Sequence, residues 1–220
     1  TIGFVNMMGS GVAGLELQYD SRLRGRNGRV VCEVDALGQC YSEIQNIPPV
    51  PGHSLVLSID RQLQHLAQRE LAAGVRQARA AAGTAIVMES ETGRVLALAN
   101  YPDFNGNTYG QYGEEIWRNR AVQDQFEPGS TFKVVVASAA LEAGLVGPRE
   151  RINCRMGSIK VGGHVFHDHH PYGLLTFQQI LENSSNIGAI LLGMRLGEEP
   201  LYEALRCFGF GSRTGIDLPA

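Results

Sequence analysis

Lysine is scarce in this chain: only Lys133 and Lys160 stand among its 19 basic residues, the remaining 17 being arginines scattered along the sequence. With a formal net charge of -3 there is no concentrated positive surface, and nucleic-acid binding is disfavoured. No apolar run approaches the roughly 18 residues that a membrane span needs, because Gly, Glu or Gln breaks each long one, and nothing at the start reads as a secretory leader. Cysteine is also sparse. Cys32, Cys40, Cys154 and Cys207 contain no Cys-x-x-Cys, which leaves zinc and dithiol redox motifs without support. Cys32 and Cys40 flank a turn at Asp35-Ala36-Leu37-Gly38, so they either pair across a hairpin in an oxidising space or remain two free thiols in a small β module. Repeats and low-complexity tracts are absent. At 220 residues, 44% apolar and 19% charged, the chain can bury one sizeable core and a smaller module.

Against this background one short segment stands out, Glu127-Pro128-Gly129-Ser130-Thr131-Phe132-Lys133. A Pro-Gly turn delivers a serine to the start of an apolar helix and a lysine follows one turn later. Residues three apart on a helix project from one face, so the Ser130 hydroxyl and the Lys133 amine can meet. A serine needs a base to become a nucleophile, and a lysine serves only as the neutral amine, which burial among Phe132, Val134, Val135 and Val136 favours. First-turn N–H groups would favour negative charge developing near Ser130. With twelve serines and two lysines, a chance Ser-x-x-Lys is expected only about 0.1 times. The plain alternative is a capping serine followed by a solvated lysine.

A second polar knot, Glu182-Asn183-Ser184-Ser185-Asn186-Ile187-Gly188, lies between two apolar helical runs. Thr176 and Gln179 read as a capping box opening a helix through Leu181, while Ile187, Ile190, Leu191 and Met194 continue at helical spacing beyond the turn. Ser184 and Asn186 then sit at the apex, where a hydroxyl can pass a proton to a leaving amine and an amide can hold a substrate amide. Taken alone, this cluster is an ordinary helix–helix turn.

Along the rest of the chain, residues 1–52 read as a β-rich pedestal closing on Pro48-Pro49-Val50-Pro51-Gly52. Leu55, Leu57 and Ile59 alternate with Val56 and Ser58 as a short strand, and Asp60 caps a helix running to about Ala82. Gly83 to Ser90 and Arg94 to Asn100 form a hairpin around Glu91-Thr92-Gly93, expected at the centre of an antiparallel sheet. The helix after Ser130 ends near Gly144. His164, His167, Asp168, His169 and His170 fall in one run beside Gly162-Gly163, a strand pair and turn; without a His-Glu-x-x-His helix, a metal site is the weaker reading. Trp117, Phe126 and Phe166 read as packing residues.

Ser130-Thr131-Phe132-Lys133 followed by Ser184-Ser185-Asn186 resembles the first two of three motifs shared by penicillin-binding proteins and serine β-lactamases. Arg118-Asn119-Arg120-Ala121, Phe126 to Ser130, Gly11-Val12-Ala13-Gly14-Leu15-Glu16 and Arg24-Gly25-Arg26-Asn27-Gly28 narrow the resemblance to class B penicillin-binding proteins, the cell-division transpeptidases in particular. Thr92 to Ala97 and Phe208-Gly209-Phe210-Gly211 extend it over essentially the whole chain. The third motif, Lys-Thr-Gly or Lys-Ser-Gly, is absent. Arg213-Thr214-Gly215 lies in a Gly-rich stretch without strand alternation and is not a substitute. The chain is therefore expected to stop partway through its catalytic domain and to be inactive alone.

The resemblance implies an α+β fold of the penicillin-binding and serine β-lactamase type, an antiparallel sheet packed between helix clusters and incomplete at the C-terminus. Residues 1–52 would belong to an N-terminal pedestal or dimerisation-type module and residues 53–220 to the transpeptidase domain. It further implies a peptidoglycan D,D-transpeptidase with Ser130 as nucleophile, Lys133 as base, Ser184 as proton relay and Asn186 as holder of the donor amide. Its partners would be stem peptides ending in D-Ala-D-Ala, β-lactam antibiotics, a membrane glycan polymerase and division or elongation proteins. No metal or organic cofactor is implied. The location would be the extracytoplasmic face of the bacterial envelope, with an N-terminal membrane anchor outside this sequence. A D,D-carboxypeptidase or β-lactamase-type hydrolase and a non-catalytic scaffold are the alternatives.

Overall fold

The computed structural model describes residues 1–219. Contacts divide them into two compact units, one formed by residues 1–125 with the segment from Ile216 onward, the other by Phe126–Gly215.

In the first unit, β1 (Phe4–Val5) pairs antiparallel with β2 (Gly11–Ala13), and two short helices follow, α1 (Gly14–Gln18) and α2 (Asp20–Leu23). An exposed hairpin of β3 (Arg29–Val34) and β4 (Cys40–Ile47) comes next. Cys32 and Cys40 are free thiols on it, and a hydrogen bond between them raises the Cys40 pKa above the ordinary thiol value. The strand expected at 55–59 does not form. Ser58 Oγ instead donates to the Val95 carbonyl at 2.7 Å, so a side chain takes an acceptor that a ladder N–H would have used.

Asp60 caps α3 (Arg61–Ala78) as the sequence suggests, its Oδ1 accepting from Gln62 N and Leu63 N, each at 2.8 Å. The helix stops short of Ala82 because Arg79 turns left-handed at φ 53° and Ala80 N–H bonds back to Val75 O at 3.0 Å, a helix-ending closure that three following alanines cannot override. β5 (Gly83–Met88) and β6 (Val95–Tyr101) then form the expected hairpin, with α3 packed on it. Among the described residues this hairpin is a two-stranded sheet, not the centre of a larger one. Gly83 allows close approach: a Cβ there would lie 2.6 Å from Val75 Cγ2.

Two further turns, α4 (Glu114–Trp117) and α5 (Arg120–Gln123), complete the unit around Leu15, Leu98 and Leu218. Trp117 packs edge-on against Phe4 and Tyr109 and donates its indole N–H to Tyr109 O, so its expected packing role holds. Phe126 is 82% exposed and packs no core.

The second unit begins with a 3-10 turn, Gly129–Phe132, that runs directly into α6 (Lys133–Glu142). α6 carries Val135, Val136, Ala137 and Ala140 into the core and ends with Gly144 at φ 65°. β7 (Arg151–Asn153) pairs with β10 (Leu174–Thr176), enclosing the hairpin of β8 (Ser158–Val161) and β9 (His164–His167). The Gly162-Gly163 turn joins β8 to β9 with both residues at positive φ, the geometry of a two-residue hairpin loop. Three helices follow: α7 (Phe177–Glu182), α8 (Asn186–Leu196) and α9 (Glu198–Cys207). The capping box at the start of α7 is complete, with Thr176 Oγ1 accepting from Gln179 N and Gln179 Oε1 from Thr176 N.

Ile180 of α7 and Ile187 and Leu192 of α8 are fully or almost fully buried, with α6 packed alongside. Burying each such side chain stabilises the unit by about 1.5–3 kcal/mol, which is what holds α6, α7 and α8 in register. Gly188 sets the closeness of α7 and α8, since a Cβ there would lie 2.6–2.8 Å from three carbons of Ile180. Gly188→Ala is therefore expected to destabilise the fold by about 1–3 kcal/mol despite alanine's better helix propensity, because a fully buried isoleucine must move. Denaturant unfolding checks this; unchanged or raised stability would contradict the packing account.

Candidate active site

Three of the four residues singled out in the sequence meet at one point. Lys133, on the first turn of α6, directs its Nζ to the turn between α7 and α8. There it donates to the Ser184 carbonyl at 2.6 Å, Ser184 Oγ at 2.9 Å and Asn186 Oδ1 at 2.7 Å. Three acceptors match the three N–H donors of an ammonium. A neutral amine has two donors and a lone pair, so on deprotonation Lys133 gives up one of these contacts and gains the capacity to accept a proton. Half-burial between α6 and α8 lowers its pKa from the ordinary lysine value, and the negative charge of Asp168 partly opposes that shift.

Ser130 stands on the exposed 3-10 turn immediately before α6. In 3-10 geometry residues i and i+3 eclipse, so Ser130 lies on the same side of the chain as Lys133. Gly129 enters the turn at φ 60°, and Thr131 Oγ1 donates to Pro128 O at 2.9 Å. Among the described residues no hydrogen bond joins the Ser130 hydroxyl to Lys133, whose amine is engaged by the opposite turn. The sequence places Ser130 at a helix start; the structure refines this to the tighter turn preceding it.

Ser184 adopts a left-handed backbone, φ 51°, uncommon for a residue with a Cβ. That conformation lets its carbonyl and its hydroxyl both reach the same amine. Because only glycine enters this region without a steric penalty of about 1–2 kcal/mol, Ser184→Gly is expected to melt higher than Ser184→Ala, although both lose the hydroxyl. Thermal unfolding of the pair is the check, and an alanine variant as stable as the glycine one would show that Ser184 carries no strain.

Behind the turn, Ser185 is buried at 1% exposure and caps α8, its Oγ accepting from Gly188 N at 2.9 Å and donating to Asp168 Oδ2 at 2.8 Å. Asp168 Oδ1 accepts from the backbone N–H groups of Asn186 and Ile187. Asn186 Nδ2 donates to His167 O at 2.8 Å, which fixes its amide with the oxygen toward Lys133. The buried Cys154 thiol lies close by; burial raises its pKa, and a hydrogen bond with Ser185 opposes the rise. In the sequence Asp168 is one of a histidine-rich run and matches an Asp that ends a surface strand in the resembling family, with no part at the site assigned to it. Its carboxylate is occupied by α8 donors, and no cluster of three metal-ligating side chains occurs among the described residues. Arg213-Thr214-Gly215 lies in no strand.

A lysine gripped by a Ser-Ser-Asn turn, one turn after a serine, coincides with a family match over most of the chain: the penicillin binding protein transpeptidase domain matches residues 83–220. The chain belongs to the penicillin-binding protein transpeptidase family. The penicillin-binding protein dimerisation domain matches residues 4–57, and the two modules together are those of class B. The probable peptidoglycan D,D-transpeptidase PenA of Neisseria meningitidis is 37% identical over 99% of this chain and 38% of its own length. The peptidoglycan D,D-transpeptidase FtsI of Escherichia coli K12 is 36% identical, over 99% of this chain and 37% of that protein. Crystalline penicillin-binding protein 3 of Mycobacterium tuberculosis complexed with ampicillin superposes with a TM-score of 0.85 at 34% identity, covering 100% of this chain and 46% of that one. The chain thus spans under two fifths of the curated relatives named here. The α+β penicillin-binding fold expected from the sequence is the one observed.

Proposed function

We propose that the full-length protein carrying this chain is a peptidoglycan D,D-transpeptidase that crosslinks stem peptides through an acyl-serine and is blocked by β-lactams. The observation that carries the reading is the triple hydrogen bond from Lys133 to Ser184 and Asn186, in a chain of this family. Neutral Lys133 takes the Ser130 proton as Oγ attacks the penultimate D-Ala carbonyl of a donor stem peptide. The tetrahedral oxyanion forms near the N–H groups of the 3-10 turn. Ser184, hydrogen-bonded to Lys133, relays the proton to the departing D-Ala nitrogen, and Asn186 holds the donor amide. An amine from a neighbouring stem peptide then attacks the acyl-Ser130, forming the crosslink and freeing the hydroxyl. A β-lactam enters as a donor mimic, and its ring-opened acyl group stays tethered and obstructs the acceptor.

This chemistry belongs on the extracytoplasmic side of the bacterial envelope, where stem peptides are displayed. An N-terminal membrane anchor and a neighbouring glycan polymerase with division or elongation proteins complete the proposed setting. Among the described residues no helix is long and apolar enough to cross a membrane. The experiment supplies full-length protein with a D-Ala-D-Ala pentapeptide and an amine acceptor and measures free D-Ala and crosslinked product. Crosslinked product in step with D-Ala release is expected. Release without crosslink indicates the hydrolase, and neither product from folded protein indicates the scaffold.

A further inference from the structure

The geometry points to Asp168 as a positioning residue for this site, one that holds the Ser184–Asn186 turn against Lys133 and sets the charge environment of the amine; the inference rests on the site reading above. A helix leaves its first N–H groups without partners inside the helix, and α8 has three such donors in its first turn, at Asn186, Ile187 and Gly188. Ser185 Oγ takes Gly188. Asp168 takes both others through Oδ1 and holds Ser185 through Oδ2. One carboxylate from the segment after β9 thus binds three successive residues, Ser185, Asn186 and Ile187, at the positive end of α8, where negative charge is favoured.

The residue before it completes the grip. His167 O accepts from Asn186 Nδ2, so adjacent residues of one segment fix both the backbone and the side chain of Asn186. With Nδ2 committed to His167, Oδ1 is left aimed at Lys133 Nζ. On α6 itself the other charged residue, Glu142, stands nine positions from Lys133, more than two helical turns away. Among the described residues, the charged or titratable groups set around Lys133 are Asp168 beyond the Ser-Ser-Asn turn, His167 beside it, the buried Cys154 thiol behind it, and Glu198 of α9, which lines the same surface groove; α8 contributes the neutral Asn186 amide.

A carboxylate that merely capped α8 would affect melting and leave the acylation rate of the folded protein unchanged. A positioning carboxylate affects acylation rate and its pH dependence. Asp168 raises the Lys133 pKa through its charge, so removing that charge lowers the pKa and makes the neutral amine available at lower pH.

The test measures the acylation rate of full-length protein by a fluorescent penicillin across pH, with melting curves, for wild type, Asp168→Asn and Asp168→Glu. Asp168→Asn is expected to acylate about 10-fold to 100-fold more slowly, as for a misplaced catalytic group, with its acid limb moved to lower pH. Asp168→Glu keeps the charge but displaces the oxygens, so it is expected to be slower with the limb nearer the wild-type position. A labelled wild type together with an Asp168→Asn protein of unchanged rate and limb overturns this inference alone. Should Asp168→Asn not fold, Asp168→Glu decides: slowed acylation supports the inference, and a wild-type rate overturns it. A folded wild type that takes no adduct at Ser130 overturns the site reading and this inference with it.

Discussion

Ser130→Ala in the full-length protein is expected to abolish covalent β-lactam labelling and D-Ala release while leaving the fold intact. Ser130 is exposed on the 3-10 turn and fills no core position, so its removal costs little stability. The loss is chemical: without Oγ there is no acyl intermediate. Labelling that persisted in folded Ser130→Ala protein would show that another residue is the nucleophile.

Lys133→Arg is expected to lower the acylation rate by about 100-fold to 10,000-fold, the range for removing a general base. Arginine retains charge and hydrogen-bond donors, so contacts to Ser184 and Asn186 can partly persist. It does not release a proton at accessible pH and cannot accept one from Ser130. In the wild type, acylation should rise as pH climbs through the Lys133 pKa. Burial lowers that pKa, so the rise lies below the range of an ordinary lysine. Lys133→Arg should lose this limb altogether. A variant that kept it would show that the titrating base lies elsewhere, and a variant near wild-type rate would reduce Lys133 to a hydrogen-bond donor.

Local signals in the sequence carried far where they were strong. Thr176 with Gln179, Asp60 before an apolar-periodic run, and Gly162-Gly163 between short apolar strands each act within a few residues, and each produced the expected cap or turn. The Ser184–Asn186 turn was legible for the same reason, being bounded by two helices of clear periodicity. The segment at 55–59 failed because alternation does not supply a pairing partner; Ser58 found a carbonyl through its side chain instead. The end of α3 failed because helix propensity in Ala80 to Ala82 competes with a closure that only the folded chain reveals. Asp168 was illegible as a site residue because its partners stand 17–19 positions away on another element, and no spacing rule ties a strand end to the first turn of a later helix. Ser130 and Lys133 were legible as a spacing of three, and among the described residues no hydrogen bond joins them; the engagement of Lys133 by the opposite turn is a tertiary fact.

The most direct test of the account is to expose full-length protein to a fluorescent penicillin, digest it and locate the adduct by mass spectrometry. A single ring-opened penicilloyl group on the peptide carrying Ser130, lost in both Ser130→Ala and Lys133→Arg at short exposure, is the predicted result. Folded protein with Ser130 unmodified, or an adduct mapped to any other residue, would contradict it.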